Sequence, residues 1–135
     1  MIKKILCFSV LSLMCMFFSE NTFAQSDDTK QMSKLILESF CQEHYSSCFS
    51  GRTYIENSLT VYKVEPASLQ QIKVYGYHSY KGRFGVKYTS YDYYAYIKYR
   101  TDGLVEIKFY KKSAPDLFNP DYYWEDCTKI IRIST

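Results

Sequence analysis

The 135-residue sequence predicts an α+β domain in which one N-terminal helix packs on a four- to five-stranded antiparallel sheet. Three observations carry this. A single long stretch, Asp27 to about Tyr45, has helical periodicity. Several later stretches alternate apolar and polar residues at period two, most clearly between Tyr93 and Phe109. A Thr101-Asp102-Gly103 turn joins two of them.

Residues 1–24 read as a signal peptide: Lys3 and Lys4 open it, Ile5 to Phe18 is apolar, and Thr22-Phe23-Ala24 offers a small-residue site with cleavage after Ala24. The apolar run is 14 residues, short of the roughly 20 that a spanning helix requires. No stable membrane insertion is expected after cleavage. Met14 stands before Cys15, where a bacterial lipoprotein signal needs a small residue. The expected location is periplasmic or secreted. Residues 25–135 are then a single domain. Loss of Lys3, Lys4 and Glu20 takes the net charge from +3 to +2, too small a balance to suggest nucleic acid. The oligomeric state is not readable.

In the helix, Asp27 or Asp28 suits the N-terminal end. Met32, Leu35, Ile36 and Phe40 form its apolar stripe, continued by Ser39 and His44 and flanked by Leu37 and Cys41. Lys34 and Glu38 are spaced to pair across one turn on the other side. Ser46 to Gly51 is a loop. Thr53 to Glu65 contains short strands broken at Asn57-Ser58, and Pro66 ends this element or places it at a sheet edge. Leu69 to Tyr80 is a longer strand, Lys81-Gly82-Arg83 a turn, and Phe84, Val86 and Tyr88 alternate into the next strand, with a weak break at Thr89-Ser90.

The hairpin register follows from packing. A three-residue Thr-Asp-Gly loop sets Arg100 opposite Leu104, Tyr99 opposite Val105, Ile97 opposite Ile107 and Ala95 opposite Phe109. One face is then apolar. A two-residue loop would put Lys98 opposite Ile107, and a slip by one flips every side chain. Gly103 is expected in the left-handed region. Lys111 to Asp126, with Pro115 and Pro120, reads as a long loop with a turn of helix near Asn119 to Trp124, and Cys127 to Ile133 as a last strand.

Two stretches are candidate binding sites. The loop carries Phe118, Tyr122, Tyr123 and Trp124 among Asp116 and Asp121; aromatic residues give rigid contact area at low entropic cost. Capping of the core by Trp124 and one tyrosine is the plainer role. The second stretch is the polar sheet face, where Tyr94, Tyr96, Lys98 and Arg100 join Lys73, Tyr75, Tyr77 and Lys108. Such a face suits another protein or sugar rings, and cross-strand pairing of tyrosines is its plainer role. No Gly-x-Ser-x-Gly, His-Glu-x-x-His or phosphate loop is present. The sequence therefore points to a non-catalytic module without cofactor or metal, whose partner is another protein, of immunity or inhibitor type. The alternative is a small-ligand or carbohydrate-binding domain using a helix–sheet pocket or the tyrosine-rich face. Of Cys41, Cys48 and Cys127, two are expected to pair after export, and all three pairings stay open.

The element order is similar to the cystatin-like arrangement, a helix followed by antiparallel strands. The inhibitory Gln-x-Val-x-Gly run of that family is not matched: in Gln71-Ile72-Lys73-Val74-Tyr75-Gly76 the glutamine is one place early. Protease inhibition is not carried over.

Overall fold

Helix α1 (Asp27–Cys48) lies across one face of a six-stranded antiparallel sheet. The computed structural model describes residues 27–115 and 117–132; residues 1–26, where the signal peptide is expected, Asp116 and residues 133–135 lie outside them. α1 starts at the acidic pair Asp27 and Asp28, which complements the positive helix end. It runs one turn beyond Tyr45. Its buried face is Ser33, Ile36, Leu37, Phe40, Cys41 and Tyr45, while Leu35 is exposed. The stripe is thus rotated from the expected one, because Tyr45 offers more apolar area to bury than Leu35. Glu38 is half-buried against the chain that follows the helix. It accepts hydrogen bonds from the Tyr54 hydroxyl, from the Asn57 backbone N–H at 3.0 Å and from Gln42 at 3.0 Å.

The strands are β1 (Thr53–Tyr54), β2 (Lys63–Ser68), β3 (Gln71–Lys81), β4 (Lys87–Tyr99), β5 (Leu104–Ser113) and β6 (Tyr123–Arg132). β3 to β6 form a meander, and β1 and β2 take turns on the free edge of β3. Between them the chain turns away at Asn57 (φ 63°) and rejoins β3 through Thr60 and Tyr62, whose N–H groups donate to the Tyr77 and Tyr75 carbonyls at 2.8 and 3.0 Å. β2 starts later than expected, and Pro66 sits in it on the sheet edge opposite Ile72, where a missing N–H costs no ladder bond. Leu59, expected in a strand, is instead a fully buried plug.

The β4–β5 hairpin has the expected register, Ala95 with Phe109, Ile97 with Ile107 and Tyr99 with Val105. The Gly103 N–H donates to the Arg100 carbonyl, and Gly103 has φ 83°. β4 is one strand through Thr89-Ser90. The weak break is a bulge with Ser90 at φ 58°, after which Tyr91 pairs with His78 and Tyr88 with Tyr80.

The core lies between α1 and the inner sheet face. Leu37, Phe40, Ala95, Ile97, Val105, Ile107 and Phe109 are all fully buried. Gly76 on β3 is required there: a Cβ would stand 1.8 Å from the Thr60 carbonyl oxygen and 2.6 Å from the Tyr93 hydroxyl. Tyr93 uses that space to lay its ring on Phe109 at 5.0 Å and donate to the Thr60 carbonyl at 2.7 Å.

Cys48, in the last turn of α1, is bonded to Cys127 of β6, and Cys41 is a buried free thiol. The bond closes a loop across 79 sequence positions, worth about 4.5 kcal/mol in the chain-entropy model.

Candidate functional site

At the end of the sheet where β3 turns into β4 and β5 into β6, the inner face stops being apolar. Lys111 and Ser113 close β5 and Tyr123 and Glu125 open β6, all pointing inward beside Arg52 from the chain after α1. Glu125 Oε1 is the hub. It receives the Ser113 hydroxyl at 2.7 Å, Arg52 Nη2 at 3.2 Å and Lys111 Nζ at 3.3 Å. Arg52 Nη2 also donates to the Tyr123 hydroxyl at 2.9 Å, and Lys111 Nζ to Ser113. The Lys111 side chain is 0% exposed and its ammonium stands over the rings of Tyr80 at 4.6 Å and Phe49 at 5.1 Å. Burial pushes Lys111 down to about 8. Glu125 draws it back up, and repulsion from Arg52 and Arg83 adds to the fall. Burial alone would raise the Glu125 carboxyl, but the Ser113 hydroxyl and the charges of Lys111 and Arg52 outweigh it and hold the carboxyl below its ordinary range.

His78 sits nearby in the core. Its Nδ1 faces the Tyr91 carbonyl at 2.9 Å, which can only accept, so Nδ1 carries the proton. Nε2 then accepts from the Tyr45 hydroxyl at 2.8 Å. Burial lowers His78 to about 4, against the Tyr91 bond that raises it, and the ring is neutral at pH 7.

Above the ionic cluster two loops meet. The 82–86 turn carries Arg83, Phe84 and Val86, and the 114–122 loop carries Leu117 and Phe118. Phe84, Val86, Leu117 and Phe118 are 88, 52, 91 and 81% exposed. With Tyr80, Tyr88 and Arg52 they line a pocket of about 100 Å³. Gly85 (φ 77°) lets the turn close. Arg83 lies across Gly51, where a Cβ would meet its Cγ at 2.6 Å.

The predicted loop residues separate into different environments. Phe118 is on the pocket. Tyr122 lies tilted beside Tyr91 at 6.2 Å under Lys112, Tyr123 joins the ionic cluster, Trp124 faces outward on β6, and Asp121 is exposed. The connection is shorter than 111–126 and has no helical turn at 119–124, since both its ends belong to β5 and β6. Trp124 instead joins Tyr94 at 5.0 Å, and Tyr94 stacks on Tyr110 at 4.4 Å. This outer row continues through Tyr75 and Tyr62 to Tyr77, with Tyr96 beside it. Lys73 lies 4.7 Å from the Tyr94 ring centroid. Lys98 is exposed opposite Glu106 on the same face, while Arg100 pairs with Asp102 at 2.9 Å at the hairpin end.

Arg52, Arg83, Phe84, Val86 and Leu117 were not candidates from sequence. Phe84 and Val86 read as the start of a strand; the signal against it was Gly82 and Gly85, which flank Phe84 and separate it from Val86. Among the described residues no three His, Cys, Asp or Glu side chains converge to hold a metal, and no helix is long and apolar enough to cross a membrane. Compared with known proteins, the chain matches no family model, no curated protein and no solved structure.

Proposed function

We propose that this chain is an exported, non-catalytic binding module that grips another protein with the loop end of its sheet, as an immunity or inhibitor protein does. The scaffold is a helix and antiparallel meander in cystatin-like order. The observation that carries the reading is the convergence of Phe84, Val86, Leu117 and Phe118, all exposed, from two loops far apart in sequence. Isolated apolar residues on a surface are ordinary, but a cluster around a concavity marks a contact site. Burying four such side chains offers roughly 6–10 kcal/mol before the costs of association. The end is also pre-organised, by the Cys48–Cys127 bond and the Arg52–Glu125–Lys111 cluster beneath it, which lowers the entropy lost on binding. A disulfide suits the oxidising compartment that export implies. The fully buried Leu37, Phe40, Ile97 and Ile107 between helix and sheet favour a surface site over an internal one.

The test uses the chain from Gln25 with its disulfide formed. Phe84→Ser and Phe118→Ser, each retaining the wild-type unfolding midpoint, are compared for affinity toward an exported protein that co-purifies with the chain and is confirmed with purified components. At least a tenfold loss in each is expected. Undiminished affinity in both overturns the loop-end assignment.

A second reading, carbohydrate binding on the outer face, draws on the row of tyrosines with Lys73 among them. Against it, the stacking of Tyr94 on Tyr110 covers ring faces that a sugar would need. Retention on an insoluble polysaccharide, lost in Trp124→Ala, would favour this face over the loop end.

A further inference from the structure

We propose that the loop-end pocket recognises a partner segment in which an apolar side chain stands beside a carboxylate. This rests on the loop end being a protein-contact surface and adds the chemistry of what it contacts. The pocket's size sets the apolar half. A dry cavity of about 150 Å³ takes a whole benzene molecule, so about 100 Å³, open at the surface, suits one leucyl-sized group or a phenyl ring that stands partly out of the mouth.

The charge around it sets the other half. Arg52 is in the floor, and Arg83 is carried by the turn that forms one wall. The hairpin tip from Lys81 to Lys87 has Lys81, Arg83 and Lys87 exposed and no acidic residue. Lys111 is close enough to feel both arginines. Facing these cations from β6 is Glu125, which is already engaged by Ser113, Arg52 and Lys111. Among the described residues the 114–122 loop adds Asp121, which is exposed. The wall formed by the 81–87 turn therefore has a positive rim over apolar residues. An apolar wall keeps water from screening a charge placed against it, so a carboxylate held at Arg83 gains more than it would on an open surface. An ammonium in the same place is repelled by Arg83, and Glu125, taken up by Arg52 and Lys111, does not offset that repulsion at the rim. Neutral apolar segments would fill the volume and leave the arginines without gain.

The probe is N-acetyl-L-phenylalanine, compared with its uncharged amide and with acetate, titrated into the ¹⁵N-labelled chain from Gln25. Saturating shifts of the amide resonances of Gly82 to Val86, Leu117 and Phe118 are expected with the acid. The amide should bind at least fivefold more weakly, and acetate should leave these resonances unmoved. Arg83→Gln should bring acid and amide to equal affinity, Arg83→Lys should keep most of the preference, and Phe118→Ser should weaken both. Equal binding of acid and amide to the wild-type chain, or no binding of either, overturns the inference. Because the probe is a small molecule, the two proposals fail separately. If acid and amide are equal while Phe84→Ser and Phe118→Ser still release the partner protein, the carboxylate chemistry is wrong and the contact surface stands. If the acid preference holds and the partner is unaffected, the pocket chemistry is right and the protein-contact reading falls.

Discussion

Lys111 and Lys73 both rest an ammonium on tyrosine rings, and the protein treats them in opposite ways. Lys111, on the inner face of β5, stands 4.6 Å from the Tyr80 centroid and is fully buried; Lys73, on the outer face of β3, stands 4.8, 4.7 and 5.4 Å from Tyr75, Tyr94 and Tyr96 and is only half-buried. Burial drives Lys111 down to about 8, whereas the Tyr75 hydroxyl and then Tyr96 raise Lys73 above its ordinary value. The ring contact is the same in both. What differs is the loss of hydration, which a ring quadrupole does not replace and an opposed carboxylate does. The inner ammonium therefore depends on Glu125 and the outer one on no single partner.

The largest effect is expected from breaking that dependence. Glu125→Ala leaves Lys111 and Arg52 as buried cations without their carboxylate and should cost about 3 kcal/mol in urea unfolding. Lys111→Met keeps the apolar stem and removes the charge, and should cost less than half as much. Equal losses in the two variants would mean that Glu125 acts through packing and not through charge.

A smaller effect, and a sharper distinction between the two lysines, lies in the pH profile. Lys111 is pushed down to about 8 in the folded protein from its ordinary 10.5. Between those values the unfolded chain holds more protons, so stability rises with pH there, by at most about 1.4 kcal/mol per unit. Above pH 10 the buried Tyr45, Tyr80 and Tyr93, all raised by burial, keep their protons while unfolded tyrosines lose theirs, and stability falls. A maximum near pH 10 is the outcome. Lys111→Met should abolish the rise and Lys73→Met should leave it. In acid the sign is set by His78, lowered to about 4 from 6.5: its contribution is complete above pH 6.5 and is lost as pH falls toward 4, where Glu125 adds a further loss. A flat stability profile from pH 7 to 4 would contradict the buried neutral histidine.

The smallest effect is on the outer face. Lys73→Ala removes three half-buried ring contacts and should cost no more than about 1 kcal/mol, diminishing in salt. A loss as large as that of Glu125→Ala would make the outer row a second core.

The same contrast explains what could be read in the chain. The hairpin from Tyr93 to Phe109 was legible to the residue because its inner side chains are apolar and its turn is local. The ends of β5 and β6 read as loop because their inner positions are Lys111, Ser113, Tyr123 and Glu125, polar residues that go inside only when Arg52 meets them from another part of the chain. That error drew the candidate site too long. It grouped Phe118, Tyr123 and Trp124, which occupy the pocket, the ionic cluster and the outer face respectively. The pocket's other wall escaped notice because Phe84 and Val86 alternate as a strand would, although the ladder resumes only at Lys87.

By itself, then, the sequence determined the α+β class, the single long helix, the hairpin register and the left-handed Gly103, all consequences of periodicity and turn chemistry over a few residues. Only the tertiary structure decided the rest. It chose Cys48 with Cys127 from three pairings, because β6 lies beside β5 with Cys127 opposite Phe109 under the last turn of α1. It turned Lys111 inward and brought Phe84 and Phe118 to one pocket. Each of these joins groups distant in the chain, whose partners a local pattern cannot name.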